Sequence, residues 1–71
     1  MAKVVSYNSV GRFVVLNFPI GQSPKMDQTV FIYRNGLKVG ELKVTGPQRD
    51  NNIVADLVSG EARVGDEARD R

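Results

Sequence analysis

The sequence predicts an all-β domain closed, or nearly closed, into a small barrel of five to six strands, and three observations predict it. Turn-forming residues recur at short intervals: Gly11, Pro19 and Gly21, Pro24, Asn35-Gly36, Gly40, Gly46-Pro47, Asn51-Asn52, Gly60 and Gly65-Asp66. The segments between them are rich in Val, Phe, Ile, Tyr and Thr, the pattern of short strands separated by turns about every 8 to 12 residues, and none carries a helical apolar stripe. The third observation is a slip in apolar phase: Leu37 and Val39 lie at odd positions and Leu42 and Val44 at even ones. A slip of one residue beside Gly40 is the signature of a β-bulge, and bulges with glycine bend a small sheet far enough to close.

Taken in order, the elements are as follows. The first strand spans about residues 3 to 9. The second, near 12 to 18, is apolar on both faces, with Val14, Leu16 and Phe18 on one side and Phe13 and Val15 on the other. A strand of that kind is either covered by another segment or exposed at an interface. The segment 19 to 28 is long for its surroundings, and its Ile20 and Met26 are expected to plug an end of the barrel. A third strand, 29 to 34, leads into Asn35-Gly36. A type I′ turn needs φ > 0 at both central residues, which Asn-Gly tolerates best, so a tight hairpin to the strand 37 to 45 is expected. A solvated loop from Gly46 to Asn52, a strand near 52 to 58 and a short strand at 66 to 69 complete a single domain, 1 to 71, with an ordered core of about 3 to 68.

Length and composition bound the function. The chain has 71 residues with no His, no Cys and no Trp. Thiolate nucleophiles, imidazole bases, disulfides and thiolate or imidazole zinc sites are thereby excluded, and an enzyme is not expected. A domain this small has a core that rarely supplies more than about 3 to 5 kcal/mol, so regular strand pairing or association must add to it. No apolar stretch suits a signal peptide or a membrane span, and no membrane insertion is expected. The chain as it stands reads as cytoplasmic, or as a cell-envelope segment if it comes from a longer exported protein.

Motifs for small-molecule chemistry are missing. Gly21-Gln22-Ser23-Pro24-Lys25 lacks the second glycine and the Gly-Lys-Ser/Thr ending of a phosphate loop. Asp56, Glu61, Asp66 and Glu67 are close in sequence, but a catalytic carboxylate pair needs a cleft that a barrel of this size has no volume for. Asp66 is read instead as a turn residue bonding nearby backbone N–H groups. Asp50-Asn51-Asn52 does not have the spacing of a calcium loop. No catalytic residue, cofactor or metal is expected.

Charge is distributed unevenly. Residues 1 to 49 carry seven Lys or Arg against Asp27 and Glu41, for +5, whereas residues 50 to 71 carry three Arg against six carboxylates, for −3. Two uses of the surface follow. Phe13 and Val15, on the face where a small barrel meets solvent, predict self-association or contact with another protein. The alternative is a nucleic-acid interface built from Arg12, Arg34, Lys38, Lys43 and Arg49, with Tyr33 interleaved, as small barrels bind single strands beside a charged groove. Five aromatic residues are present, and most of them are expected to fill the core.

The succession Phe13-Val14-Val15-Leu16-Asn17, Val30-Phe31-Ile32-Tyr33-Arg34-Asn35-Gly36-Leu37-Lys38-Val39-Gly40, Leu42-Lys43-Val44 and Val64-Gly65-Asp66 resembles the small SH3-like β-barrel modules of bacterial cell-envelope proteins, such as the C-terminal domain of flagellar assembly protein T. The likeness runs over nearly residues 3 to 68. It departs at Asp27-Gln28, where those modules carry glycine, and at Gly65-Asp66-Glu67-Ala68, where they run Gly-Asp-x-Val. The resemblance implies a non-catalytic packing or interaction module, without an active site to carry over.

Overall fold

The computed structural model describes residues 2–19 and 24–70, and in it six antiparallel strands close into a barrel. They are β1 (Ala2–Asn8), β2 (Phe13–Asn17), β3 (Thr29–Arg34), β4 (Leu37–Arg49), β5 (Asn52–Gly60) and β6 (Glu67–Arg69). Their order around the barrel is β1-β2-β5-β4-β3-β6, with β6 returning to β1.

Alternation decides which side chains face inward, because successive residues of a strand point to opposite faces. Val14 and Leu16 of β2, Val30 and Ile32 of β3, Leu42 and Val44 of β4 and Ile53, Ala55 and Leu57 of β5 are buried in one aliphatic core, together with Ala2, Val4, Ala62 and Ala68. Leu16, Ile32 and Leu42 are its largest fully buried side chains. The aromatic residues do not fill it. Tyr7 and Phe18 pack against it while remaining partly exposed, and Phe13, Phe31 and Tyr33 stand at outward positions, half-buried. An interior of this bore is filled by branched aliphatic side chains, and the odd-numbered positions of β2 and β3 leave their rings outside.

Asn35 and Gly36 have φ of 53° and 79° and join Arg34 to Leu37, its partner across the hairpin. The pairing then slips between Ile32↔Gly40 and Tyr33↔Lys38, so that Val39 is the extra residue beside Gly40. Gly36→Val places a β-branched side chain at positive φ, where L-residues are penalised by about 1–2 kcal/mol. A lower urea midpoint than that of an exposed control substitution is the expected result; an unchanged midpoint would show that this turn adds nothing to stability.

Two expectations change. β4 runs to Arg49 rather than stopping at 45, and the loop anticipated from Gly46 to Asn52 shrinks to a turn at Asp50-Asn51. The register passes from Val44↔Ala55 to Gln48↔Ile53, so Thr45, Gly46 and Pro47 bulge out opposite Val54 and pairing resumes beyond them. A bulge tolerates the missing amide of a proline, which lets the strand continue through it. A Cβ on Gly46 would lie 2.3 Å from the Cβ of Val54, so the glycine is what allows the bulged backbone to sit on that side chain. The second change concerns the segment 19 to 28. Met26 is 58% exposed and plugs nothing; Ile20 lies outside the described residues. Asp27 N donates to Val44 O (2.8 Å) and Val44 N to Gln28 O (3.0 Å), so this part of the chain is tied to β4 rather than laid over β2.

Candidate functional site

Three surface features arise from this frame. The first joins the end of β3 to the segment before β6. Arg34 Nε donates to Asp66 Oδ1 (2.9 Å) and its second terminal nitrogen to Oδ2 (2.8 Å), a bidentate pair, while its other terminal nitrogen reaches Glu61 (2.8 Å). Asp66 also accepts from the backbone N–H of Arg63 (2.8 Å), as a turn aspartate does, and its side chain is 5% exposed. The Arg34 hydrogen bonds hold the Asp66 carboxyl below its ordinary range, with the Arg63 N–H adding to the effect and burial opposing it. Glu61 is lowered as well, first by its hydrogen bond from Arg34 and then by that residue's charge, and the Arg34 guanidinium is raised in turn.

The pH dependence follows from the sign of these shifts. A carboxylate whose folded pKa is depressed contributes stability that is fully present above its unfolded pKa, near 3.8 for Asp66 and 4.5 for Glu61, and is lost as pH falls through the folded value. Acid is therefore expected to destabilise the barrel below about pH 5. Asp66→Asn should flatten that limb and lower stability at neutral pH by about 1.5 kcal/mol, the low end for hydrogen bonds to charged groups because water reaches Arg34. Urea midpoints of both proteins from pH 3 to 8 check it, and parallel curves would remove the role of this carboxylate.

The second feature is the outer face of β3 and its neighbours. Lys38 Nζ lies 4.2 Å from the centre of the Phe31 ring, and the Arg69 guanidinium 4.6 Å from that of Tyr33. Arg69 also pairs with Glu67 (3.1 Å), while Glu67 Oε1 and Arg69 Nε are buried without a hydrogen-bond partner. Beside them Lys3, Tyr33, Arg34, Asn35, Gly65, Asp66 and Glu67 line an open groove of about 340 Å³.

The third is the outer face of β2 and β5. Val15 and Val54 stand directly opposite each other, and Phe13 opposes Asp56. Phe13, Val15 and Val54 are half-buried, with Val5 (46%) and Val58 (55%) more exposed on the neighbouring bulged positions of β1 and β5. A Cβ on Gly11 would fall 2.7 Å from the Phe13 ring, so the chain's own β1–β2 turn leans on this aromatic.

These placements sort the residues singled out from sequence. Phe13 and Val15 share the outward face of β2. The five cations have different surroundings. Arg34 is committed to Asp66 and Glu61, Lys38 covers Phe31, and Lys43 sits across from Asp56 on β5. Arg49 is at the far end of β4, paired with Asn52, and Arg12 occupies the β1–β2 turn with φ of 54°. Glu61, Glu67 and Arg69 escape a sequence reading as partners because nothing local links them to the hairpin residues they meet. Among the described residues, no three His, Cys, Asp or Glu side chains converge as metal ligands, and no helix is long and apolar enough to cross a membrane. No family model, curated protein or solved structure matches this chain.

Proposed function

We propose that this small β-barrel, which lacks catalytic motifs, is a non-enzymatic interaction or structural module of the SH3-like class that associates with itself or within a larger assembly, with Phe13 and Val15 at the contact. The observation that carries this reading is the half-buried Val15↔Val54 pair on the outside of the barrel, flanked by Phe13, Val5 and Val58 and only partly covered by the backbone at Gly46 and Gly11. Outward apolar side chains on two adjacent strands form a patch rather than scattered exposures, and such patches mark interaction sites. The described part of the segment 19 to 28, which could have covered them within one subunit, is bonded to β4. A two-fold pairing of copies sets the same patch on both sides.

Sedimentation equilibrium on the native chain and on a Phe13→Ser, Val15→Thr variant tests it. The native chain is expected to self-associate and the variant to shift toward monomer, since each of these half-buried side chains has apolar surface left to remove from water. A native chain monomeric up to millimolar concentration would refute association through this face.

A nucleic-acid interface through Arg12, Lys38, Lys43 and Arg49 is the competing use of the surface. Arg34 is paired with two carboxylates, and Phe31 and Tyr33 each carry a cation over the ring, which leaves less free charge and stacking surface for a single strand and favours the first reading. Binding of single-stranded RNA that weakens linearly on a log-log salt plot would reinstate it.

A further inference from the structure

β6 sits between β1 and β3 in the closed barrel, and little apolar side-chain burial holds it there. It has three residues, pairing with β1 through Ala2↔Ala68 and Lys3↔Glu67 and with β3 through Phe31↔Arg69, Ile32↔Ala68 and Tyr33↔Glu67. Its inward contribution is the single methyl group of Ala68, 2% exposed, whereas each of the other strands buries at least one larger apolar side chain. Among the described residues, both buried side-chain polar atoms without partners, Glu67 Oε1 and Arg69 Nε, belong to this strand. What keeps β6 in place is the backbone ladder on its two sides, the Arg69 guanidinium over the Tyr33 ring and the Asp66–Arg34 bond just before it. A segment held in that way belongs to the part of a structure that opens locally at the lowest cost.

The hinge for such an opening is visible. The turn Arg63–Asp66 is closed by Asp66 N to Arg63 O (3.0 Å) and by Arg63 N to Asp66 Oδ2 (2.8 Å), and Gly65 has φ of 95°. Ala62, just before it, is buried in the core and anchors the chain upstream. Lifting β6 about this turn bares two strand edges, β1 and β3, set apart by the width of one strand. Paired edges of this kind are templates for an extended segment. The segment must present a small side chain inward, where it meets Ala2 and Ile32, and groups outward that suit Lys3, Phe31 and Tyr33. Glu67-Ala68-Arg69 of another copy meets those conditions by identity.

We propose that β6 is exchanged between two copies of this chain, each inserting Glu67–Arg69 between β1 and β3 of the other, with the Arg63–Asp66 turn as hinge and the Arg34–Asp66 pair as latch. Every ladder pair of β6 is re-formed in the exchanged state, while the hydrogen bonds of the turn, its two backbone bonds to Val4 (Gly65 N to Val4 O, 2.8 Å, and Val4 N to Asp66 O, 2.9 Å) and the Arg34–Asp66 pair are given up. This mode of association does not use the outer face of β2 and β5 and stands or falls apart from it.

Because the chain has no cysteine, an engineered pair reports on the slot without competing thiols. Lys3 and Glu67 are directly opposite on β1 and β6, and opposed residues of antiparallel strands have Cα atoms about 4.5–5.5 Å apart, within the range a disulfide spans. The Lys3→Cys, Glu67→Cys protein, equilibrated reduced at increasing concentration and then oxidised, is expected to shift from an intrachain disulfide to a covalent dimer as concentration rises. Adding Asp66→Asn should move that shift to lower concentration, and adding Phe13→Ser and Val15→Thr should leave it in place. Intrachain disulfide alone at every concentration, both with and without the Asp66→Asn substitution, overturns the proposal; so does an equal dimer yield from a Lys25→Cys, Glu67→Cys pair, whose positions are not opposed. On the unaltered chain, the amides of β6 should exchange with deuterium at least about ten-fold faster than those of Leu42 and Val44. Equal protection would likewise refute exchange, since β6 would then leave only with global unfolding.

Discussion

Gly60→Ala is expected to leave this protein largely unfolded at room temperature. A Cβ at that position would lie 2.2 Å from the carbonyl oxygen of Val39 and 2.7 Å from the Cα of Gly40, and Gly60 has φ of 77°. Both obstacles are backbone, so no side-chain rotation relieves them. The crossing exists because Gly40 and Gly60 are paired across β4 and β5, next to the bulge between Glu41 and Leu42, and Glu61 N must still reach Val39 O (3.0 Å). Left-handed strain adds about 1–2 kcal/mol to the cost of separating the two strands, and the sum reaches the whole stability of a domain this size, about 3–5 kcal/mol. Far-ultraviolet circular dichroism and urea unfolding of the variant check this result. A midpoint within experimental error of the native protein would mean that the two backbones can part freely and that the close crossing is not structural.

Leu42→Ala should have an effect of similar size for a different reason. Leu42 is fully buried, and its strand lies between Val30 of β3 and Leu57 of β5. Truncation removes the transfer energy of the lost carbons and leaves a void, costing about 2–5 kcal/mol for a buried leucine. A closed barrel collapses poorly around a void because each strand is hydrogen-bonded on both sides, which places the expected loss in the upper part of that range. Thermal unfolding of the variant is the measurement; Leu42→Met, which nearly conserves volume, should lose less than about 1.5 kcal/mol. Equal losses for the two substitutions would point away from packing as the cause.

The strands are largely readable from the chain because local features specify them. Alternation places Val14 and Leu16 on one side of β2 and Phe13 and Val15 on the other, and the phase slip in the fourth strand marks the neighbourhood of Gly40. Where a local rule has two outcomes, sequence reading fails. Gly46-Pro47 signals a turn in isolation, yet it forms a bulge because β5 continues opposite it. Met26 is apolar enough to cap a barrel end, yet the backbone bonds of its neighbours to Val44 direct the segment elsewhere. The pairing of Arg34 is not readable for the same reason, since the partners that claim it stand 27 and 32 residues away.

By itself, then, the order of residues determined the all-β class, the approximate strands, the Asn35-Gly36 turn and the absence of Cys- or His-based chemistry, because each of these depends on neighbours within a few positions or on composition alone. Only the tertiary structure decided that β6 sits between β1 and β3, that β2 pairs with β5, that Phe31 and Tyr33 point outward beneath cations, and that Arg34 binds Asp66 and Glu61 rather than facing solvent. Those outcomes depend on which strand edges meet when the barrel closes. The choice is made by the joint burial of inward side chains from all six strands, an energy that no single segment carries.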